Sequence, residues 1–367
     1  MTLTELISKT DSYARYAFTF MAPRTATRIY SRGRKTFLKM LAAERPSETF
    51  RAPASSRVKV RGVEFGAPLF NAAGMFKGGA GYLTVAMQGA GAFLAGTTTS
   101  NPRSGNMKAG IRHPFLSLPG SKAAINWMGL PNLGHETVAR RLSNIDKISG
   151  CPIGASLAVD PEANAFEAEE GLLRGLELYA RGGVDFMEIN ESCPNVPHGE
   201  ACDADLTARL ERVSKEFIRK AKREIPVFVK FSNDLRPEDL PALLDALTEL
   251  GFAGVVLGNT STNYNRYKMK LAPSERHAFE YFVNEFGGGV SGAPLREASL
   301  LLSRKAVEYL AAKNLREQFV VVRCGGVMSR EDLESSAKSG IVLNQWFTGY
   351  FEEFARSGHE LYRRLLS

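Results

Sequence analysis

The sequence predicts an α/β protein: one (β/α)8 TIM barrel over residues 57–367, preceded by a basic helical extension at residues 1–50. Three observations carry that reading. Eight short apolar runs, at residues 69–73, 92–95, 153–156, 186–190, 227–230, 254–258, 319–323 and 341–345, alternate with longer amphipathic stretches such as 164–180 and 237–250. Strand–helix alternation specifies parallel strands, and eight repeats suit closure into a barrel. An open doubly wound sheet is the alternative, but no GxGxxG opens the first helix. Finally, 367 residues fit one barrel of roughly 250 plus an extension.

The extension reads as two helical segments broken near Pro23. Tyr13, Tyr16, Phe18, Phe20 and Met21 close the first; Ile29, Tyr30, Phe37, Leu38 and Leu41 lie among Arg and Lys in the second. Nine basic residues against four acidic ones put +5 of the net +8 charge into residues 1–50. Cations mixed with apolar residues at helical spacing suit a membrane-surface element, with a helical pair packed on the barrel as the plainer alternative. Residues 53–56 look like a linker, and 57–65 alternate around Gly62 as a short hairpin. Three connections are long, at 98–133, 193–205 and 260–294; each follows a strand, so each belongs to the barrel's catalytic face.

Composition excludes several classes. Apolar residues are 44% and charged residues 23%, ordinary globular usage. No apolar run approaches ~18 residues, so a spanning helix is not expected. Cys151, Cys193, Cys202 and Cys324 lack zinc-ligand spacing, so no metal is expected; free thiols make the cytoplasm the default compartment, with peripheral contact to the inner face of the cell membrane through residues 1–50. The basic segment has an apolar face and no recognition motif, which argues against nucleic acid. A homodimer is left open.

The residues after each run carry the chemistry. Asn71, Ala73, Gly74 and Lys77 follow the first run, Thr97 the second, Ser156 ends the third, and Asn190, Cys193 and Asn195 follow the fourth. Lys230 ends the fifth run, Asn259 and Thr260 the sixth; Gly325 and Gly326 follow the seventh, Phe347, Thr348 and Gly349 the eighth. Glycines let backbone N–H groups approach a phosphate, and the last two strands of such barrels often bind one. Lysines at strand ends are costly to bury unpaired, so Lys77 and Lys230 should face anions. Asn126, Asn190, Asn195 and Asn259 each offer a donor and an acceptor on one plane, matching the edge of a pyrimidine ring. Cys193, in a polar loop, is the strongest base candidate; the competing reading is an inert, partly buried thiol.

These motifs resemble the dihydroorotate dehydrogenases from about Val58 onward. Thr98 to Asn106 with Asn126, Met128, Gly129, Leu130, Pro131 and Asn132 looks like that family's substrate loop. Glu188-Ile189-Asn190-Glu191-Ser192-Cys193-Pro194-Asn195 looks like its active-site strand and loop, and Ser291-Gly292 with Gly325-Gly326 like its FMN phosphate loops. The family has a soluble class with a Cys base and a membrane-associated, quinone-using class with a Ser base. Cys193, Ser156 and Met128 to Asn132 match the first; Lys77, Gly96, residues 291–295 and the extension match the second. Segment 339–345 departs from the family pattern.

The resemblance implies FMN as cofactor, held by Ala73, Gly74, Lys77, Thr97, Ser156, Asn190, Lys230, Ser291, Gly292, Gly325, Gly326, Phe347 and Thr348. It implies dihydroorotate as substrate and orotate as product, oriented by Asn126, Met128, Gly129, Leu130, Asn190, Asn195, Asn259 and Thr260. The catalytic set it implies is Cys193 as base, with Lys77 and Lys230 as charged partners. The extension favours a quinone as electron acceptor, with fumarate open. Two rivals stand beside this reading: a flavin barrel acting on another dihydropyrimidine, and an idle flavin-binding paralogue.

Overall fold

A computed structural model describes residues 1–191 and 204–367 of the chain. Its centre is a sheet of eight parallel strands: β1 (Leu69–Asn71), β2 (Phe93–Thr98), β3 (Ile153–Leu157), β4 (Phe186–Asn190), β5 (Val227–Phe231), β6 (Gly254–Leu257), β7 (Val320–Cys324) and β8 (Leu343–Trp346). Each of the eight expected runs is a strand, displaced by at most a few residues. From β2 to β8 each strand pairs with the next in sequence, and β8 returns to β1. The barrel is an eight-stranded (β/α)8 barrel, as the alternation predicts.

The seam lies between β1 and β2, where no continuous ladder forms. Asn71 bridges it instead: its Nδ2 donates to the Leu94 carbonyl at 2.8 Å, and its Oδ1 accepts from the Leu94 N–H at 3.2 Å. One side-chain amide thus replaces a peptide unit of the ladder. A bridge between Phe76 and Ala95, and the Gly74 N–H on the Gly96 carbonyl at 2.7 Å, complete the closure.

Alternation along each strand sorts the interior into layers. On β4, Met187 and Ile189 point outward into the helix-covered core, while Phe186 points into the apolar barrel interior. The hairpin of Val58–Val60 and Val63–Phe65 plugs the barrel's bottom. Its Phe65 ring stands 5.8 Å from that of Phe70 and 5.1 Å from that of Phe186. The hairpin turn is Arg61-Gly62, both at positive φ, which fits a two-residue connection.

Two of the long connections fold on each other. Strands Phe115–Leu118 and Ala123–Asn126 from the first pair with Gly289–Gly292 from the second in a small antiparallel sheet. Phe279, Phe282 and Phe286 of the adjoining helix cover it. The third long connection, residues 193–205, falls almost entirely outside the described residues.

The extension forms α1 (Leu3–Ala14), a 3-10 turn (Arg15–Phe20) and α2 (Pro23–Ala43). Thr2 and Glu5 make a capping box at the start of α1. Pro23 occupies the first turn of α2, where its missing N–H is harmless, so it starts a helix rather than merely breaking one. Two of the nine cations turn inward: Arg15 pairs with Glu352 at 2.6 Å, and Arg34 reaches the barrel mouth. Lys9, Arg24, Arg28, Arg32, Lys35 and Lys39 stay exposed, as do Tyr13 and Phe20 at 76% and 88%. Among the described residues, no helix is long and apolar enough to cross a membrane.

The seam makes one stability prediction. Asn71→Ala leaves the buried Leu94 N–H and C=O without these partners, and each unsatisfied group costs about 1–3 kcal/mol. A loss of about 2–5 kcal/mol is therefore expected in urea unfolding. A midpoint equal to wild type would show that Asn71 does not close the barrel.

Candidate active site

The carboxyl ends of the strands open into a pocket. Its walls include Ala73, Gly74 and Lys77 after β1, Thr97 on β2, Asn190 on β4, and Asn259 and Thr260 after β6. Gly325 and Gly326 line it after β7, and Phe347 and Thr348 after β8. The folded connections add Asn126, Met128, Leu130, Ser291 and Gly292. Most of the sequence-predicted residues therefore converge on one cavity.

Three of the predicted residues, Gly129, Ser156 and Lys230, do not line it, and Cys193 and Asn195 lie outside the described residues. Gly129 serves the turn: it sits at φ +68, and a Cβ there would lie 2.0 Å from the Asn106 Oδ1. Ser156 lies beneath the pocket, its Oγ donating to the Glu188 Oε1 at 2.9 Å. Lys230 is likewise below the floor. Its Nζ donates to the Gln345 Oε1 at 2.8 Å and stands 3.8 Å from the Glu188 carboxylate. Lys230 thus faces an anion within the chain itself, the inward-facing Glu188 carboxylate of the same barrel layer.

This layer is a connected network. The Gln345 Nε2 donates to the Glu188 Oε2 at 2.7 Å. The Thr97 and Ser156 hydroxyls meet at 3.0 Å, and the Asn190 Nδ2 donates to the Thr97 Oγ1 at 3.1 Å. Lysine only donates and a carboxylate only accepts, so the orientation of the Gln345 amide is forced. With Ser156 donating to Glu188, Thr97 donates to Ser156, and every bond in the chain points toward Glu188. Burial opposes the Lys230 charge, but the Cys324 sulfur and the Glu188 carboxylate outweigh it, and the ammonium pKa is raised. Glu188 and Gln345 received no role from sequence alone. The signal that could have found them is parity: each is a polar residue two positions along from an inward apolar one, Phe186 and Leu343.

The opposite end of the pocket suits an anion. The helix Thr348–Ser357 starts at Phe347 with no side-chain cap, so its first-turn N–H groups are open to a ligand. The Ser291 and Thr348 hydroxyls meet beside it at 2.9 Å. Gly326 is at φ +74, and a Cβ there would lie 2.3 Å from the Arg296 N, so the chain can pass here only as glycine. At Gly74, by contrast, an added Cβ would meet only the edge of Phe347 at 4.0 Å, leaving room over a planar ligand.

Sequence reasoning also missed Arg34 and Phe115. Both line this pocket and a second, more apolar cavity under the extension, bounded by Ile7, Phe18, Ile29, Phe37 and Phe351. Phe347 and Thr348 are shared in the same way, so the two cavities adjoin.

The family model for dihydroorotate dehydrogenase matches residues 55–365. A protein of Kineococcus radiotolerans named dihydroorotate dehydrogenase (quinone) is 31% identical over 306 residues, 81% of this chain and 78% of that one. One of the same name from Kocuria rhizophila is 30% identical over 359 residues, 93% of each chain. The ligand-free DHODH structure from Eimeria tenella superposes with a TM-score of 0.76 at 23% identity, over 90% of this chain and 92% of that one. That last likeness speaks to the fold.

The floor network makes the second prediction. Glu188→Gln removes the one carboxylate within 4 Å of Lys230 among the described residues. Removing one partner of a buried pair costs about 3–5 kcal/mol. The pKa of Lys230 is raised above its ordinary 10.5, so its stabilisation is present below that value and is lost as pH rises through the folded value. The variant should therefore unfold at lower urea at pH 7 and 9 alike, and an unchanged midpoint at both would refute the pairing.

Proposed function

The chain belongs to the dihydroorotate dehydrogenase family, and from that premise we propose that it oxidises dihydroorotate to orotate with FMN as resident cofactor and passes the electrons to a quinone. The observation that carries the reading is the pair of adjoining cavities, one polar with an anion-binding end, one apolar and walled by the extension. Neither rival reading gains support from the relatives, which carry the name dihydroorotate dehydrogenase (quinone).

The residues present fit FMN. The uncapped helix start at Thr348, with Ser291, Gly292, Gly325 and Gly326, would hold its phosphate. Ala73, Gly74, Lys77, Thr97 and Asn190 would line its ring. When bound, FMN supplies a hydride acceptor.

The chain's own residues do the rest. Asn126, Asn190, Asn195 and Asn259, with Thr260, orient the dihydroorotate ring through its amide and carbonyl edges, and Met128 and Leu130 pack against it. Lys77 carries the charge that receives the substrate carboxylate. Cys193 takes the proton from C5 as the hydride leaves C6, so the two hydrogens depart to different acceptors. Lys230, held beneath the pocket floor by Gln345, would add positive charge to the floor on which the cofactor would rest.

The extension has two tasks in this reading. Its helices wall the apolar cavity, which suits a quinone. Its outer face presents Tyr13 and Phe20 beside exposed cations, which suits an anionic membrane surface where quinones reside.

Two experiments test these points. Holoenzyme mixed anaerobically with dihydroorotate should lose its flavin colour, then regain it faster with a quinone than with fumarate. Cys193→Ala should slow the bleaching by roughly 10²–10⁴-fold with FMN retained. A wild-type bleaching rate in that variant would remove Cys193 from the mechanism, and faster recovery with fumarate would reject the quinone. For the membrane face, replacing both Tyr13 and Phe20 with Glu should weaken binding to phosphatidylserine-containing vesicles at low salt by about tenfold or more, since two buried aromatics contribute more than 1.4 kcal/mol. Undiminished vesicle binding would move the contact elsewhere.

A further inference from the structure

Two polar groups lie buried on either side of the turn after β7: a cation without a contacting counter-ion and an N–H without a backbone acceptor. The cation is Arg323. On β7 the side chains of Val322 and Cys324 face the barrel interior, so Arg323 faces the helices Arg296–Ala312 and Arg330–Lys338. It is fully buried. Its Nε donates to the Ser299 Oγ at 3.0 Å, its Nη1 to the Ser336 Oγ at 3.0 Å and the Asp332 carbonyl at 3.2 Å, and its Nη2 to the Arg296 carbonyl at 2.9 Å. These contacts satisfy its donors but not its charge. Among the described residues no carboxylate comes within salt-bridge distance of it, and the Asp332 carboxylate, which acts on it from farther off, is held by the Arg296 Nε at 2.9 Å. Two guanidinium groups thus share one carboxylate, and one positive charge is left over. Burial lowers the Arg323 pKa to about 10, which leaves it charged at neutral pH.

The N–H is that of Gly326. The residue is buried, and its N–H meets no backbone carbonyl among the described residues. A buried backbone donor in that state marks a place for a ligand. Gly326 lines the anion-binding end of the pocket. Gly349, in the first turn of the uncapped helix, abuts the same segment: a Cβ added there would lie 2.1 Å from the Val327 carbonyl. A relay joins the two buried groups. With Arg323 donating to it, the Ser299 Oγ gives its own proton to the Gly325 carbonyl at 2.5 Å, closer than the Arg296 carbonyl at 3.2 Å. That carbonyl and the Gly326 N–H are the two ends of one peptide unit, and donation to the oxygen end strengthens the N–H at the other.

Resting on the FMN reading above, we infer that Arg323 is a positioning residue for the cofactor phosphate, countering its charge from behind the Gly325-Gly326 turn and making the site select a phosphorylated flavin over the same flavin without phosphate. A phosphate monoester carries about −1.5 to −2 charge at pH 7. Backbone N–H groups and a helix start offer it only partial charges. A full charge behind them adds to that field from a buried position, where solvent and salt screen it little. This accounts for the missing contact with a carboxylate, since an ion pair at Arg323 would cancel the field at the pocket. Arg323 itself does not touch the ligand. It acts through Ser299 and Gly325, and its fork fixes the two flanking helices and the turn in one geometry.

The test titrates the flavin-free full chain with FMN and, separately, with riboflavin, which is the same flavin without the phosphate, and reads each Kd from quenching of flavin fluorescence. Wild type is compared with Arg323→Met, Arg323→Lys and Ser299→Ala. Arg323→Met should raise the Kd for FMN about 10–100-fold, the usual effect of losing a charged hydrogen-bonding group, and change that for riboflavin less than about threefold. Arg323→Lys, which keeps the charge without the fork, should lie between wild type and Arg323→Met. Ser299→Ala, which breaks the relay and leaves the charge, should weaken FMN about three- to tenfold with riboflavin unchanged, and it carries the comparison if Arg323→Met does not fold. A wild-type preference for FMN over riboflavin in every folded variant overturns the inference and leaves the FMN reading standing. Equal weakening of both flavins overturns it too, by reducing Arg323 to a clamp between helices, as does a wild type that binds the two flavins alike. A wild type that binds neither overturns the reading and the inference together.

Discussion

The buried contact of Lys230 with Glu188, joined through Gln345, is the constraint on which the site depends. An ammonium in a barrel interior must be compensated there, and both partners have to face inward at one level. That requirement couples β4, β5 and β8 in register. It also sets what lies above. Ser156 donates to Glu188, Thr97 donates to Ser156, and Asn190 donates in turn to Thr97. The pocket floor is therefore rigid before any ligand arrives, with positive charge beneath and amide groups at its surface. Below it the interior reverts to apolar packing around Phe70, Phe186 and Phe228, sealed by Phe65 of the hairpin. The polar layer is confined between a dry plug and a ligand cavity, where its hydrogen bonds are strongest and an unmade one most costly.

Charge is handled differently at the other wall. Arg34 lies against the Phe115 and Phe347 rings, and among the described residues no carboxylate comes within salt-bridge distance of it. Lys230 below the pocket is compensated within its own layer, whereas Arg34 beside the pocket has no such carboxylate among the described residues. The extension allows the second arrangement, because α2 both carries Arg34 inward and walls the adjoining cavity. Its outer cations and its inner ones thus answer to different demands. Arg15 is neutralised by Glu352 and Arg34 faces the cavities, which leaves six exposed cations on the extension's two helices for any surface contact.

How much of this could be read from residues alone varies by element. The eight strands could, because each run is short, apolar and flanked by turn residues, and a buried parallel strand leaves that imprint. Most pocket residues could as well: Gly74, Thr97, Asn190, Asn259, Gly325 and Thr348 each stand at a strand end, and in a barrel all strand ends of one polarity share one rim. The split of the extension at Pro23 was legible for a local reason, the missing N–H. Gly129 and Ser156 were placed by motif at the ligand, and the fold puts one in a turn and the other under the floor.

What the sequence by itself determined is whatever rests on local periodicity and on the identity of residues at strand termini: the fold class, the catalytic rim and most of the cavity's lining. What only the tertiary structure decided is pairing across distance. Asn71 closing the seam on Leu94, Glu188 neutralising Lys230, two long connections joining as one antiparallel sheet, and Arg34 reaching the barrel mouth from α2 all bring together residues tens to hundreds of positions apart. A linear pattern records which face a residue takes but not which partner meets it there, since partner choice follows from barrel curvature, strand register and the exclusion of water from the space between.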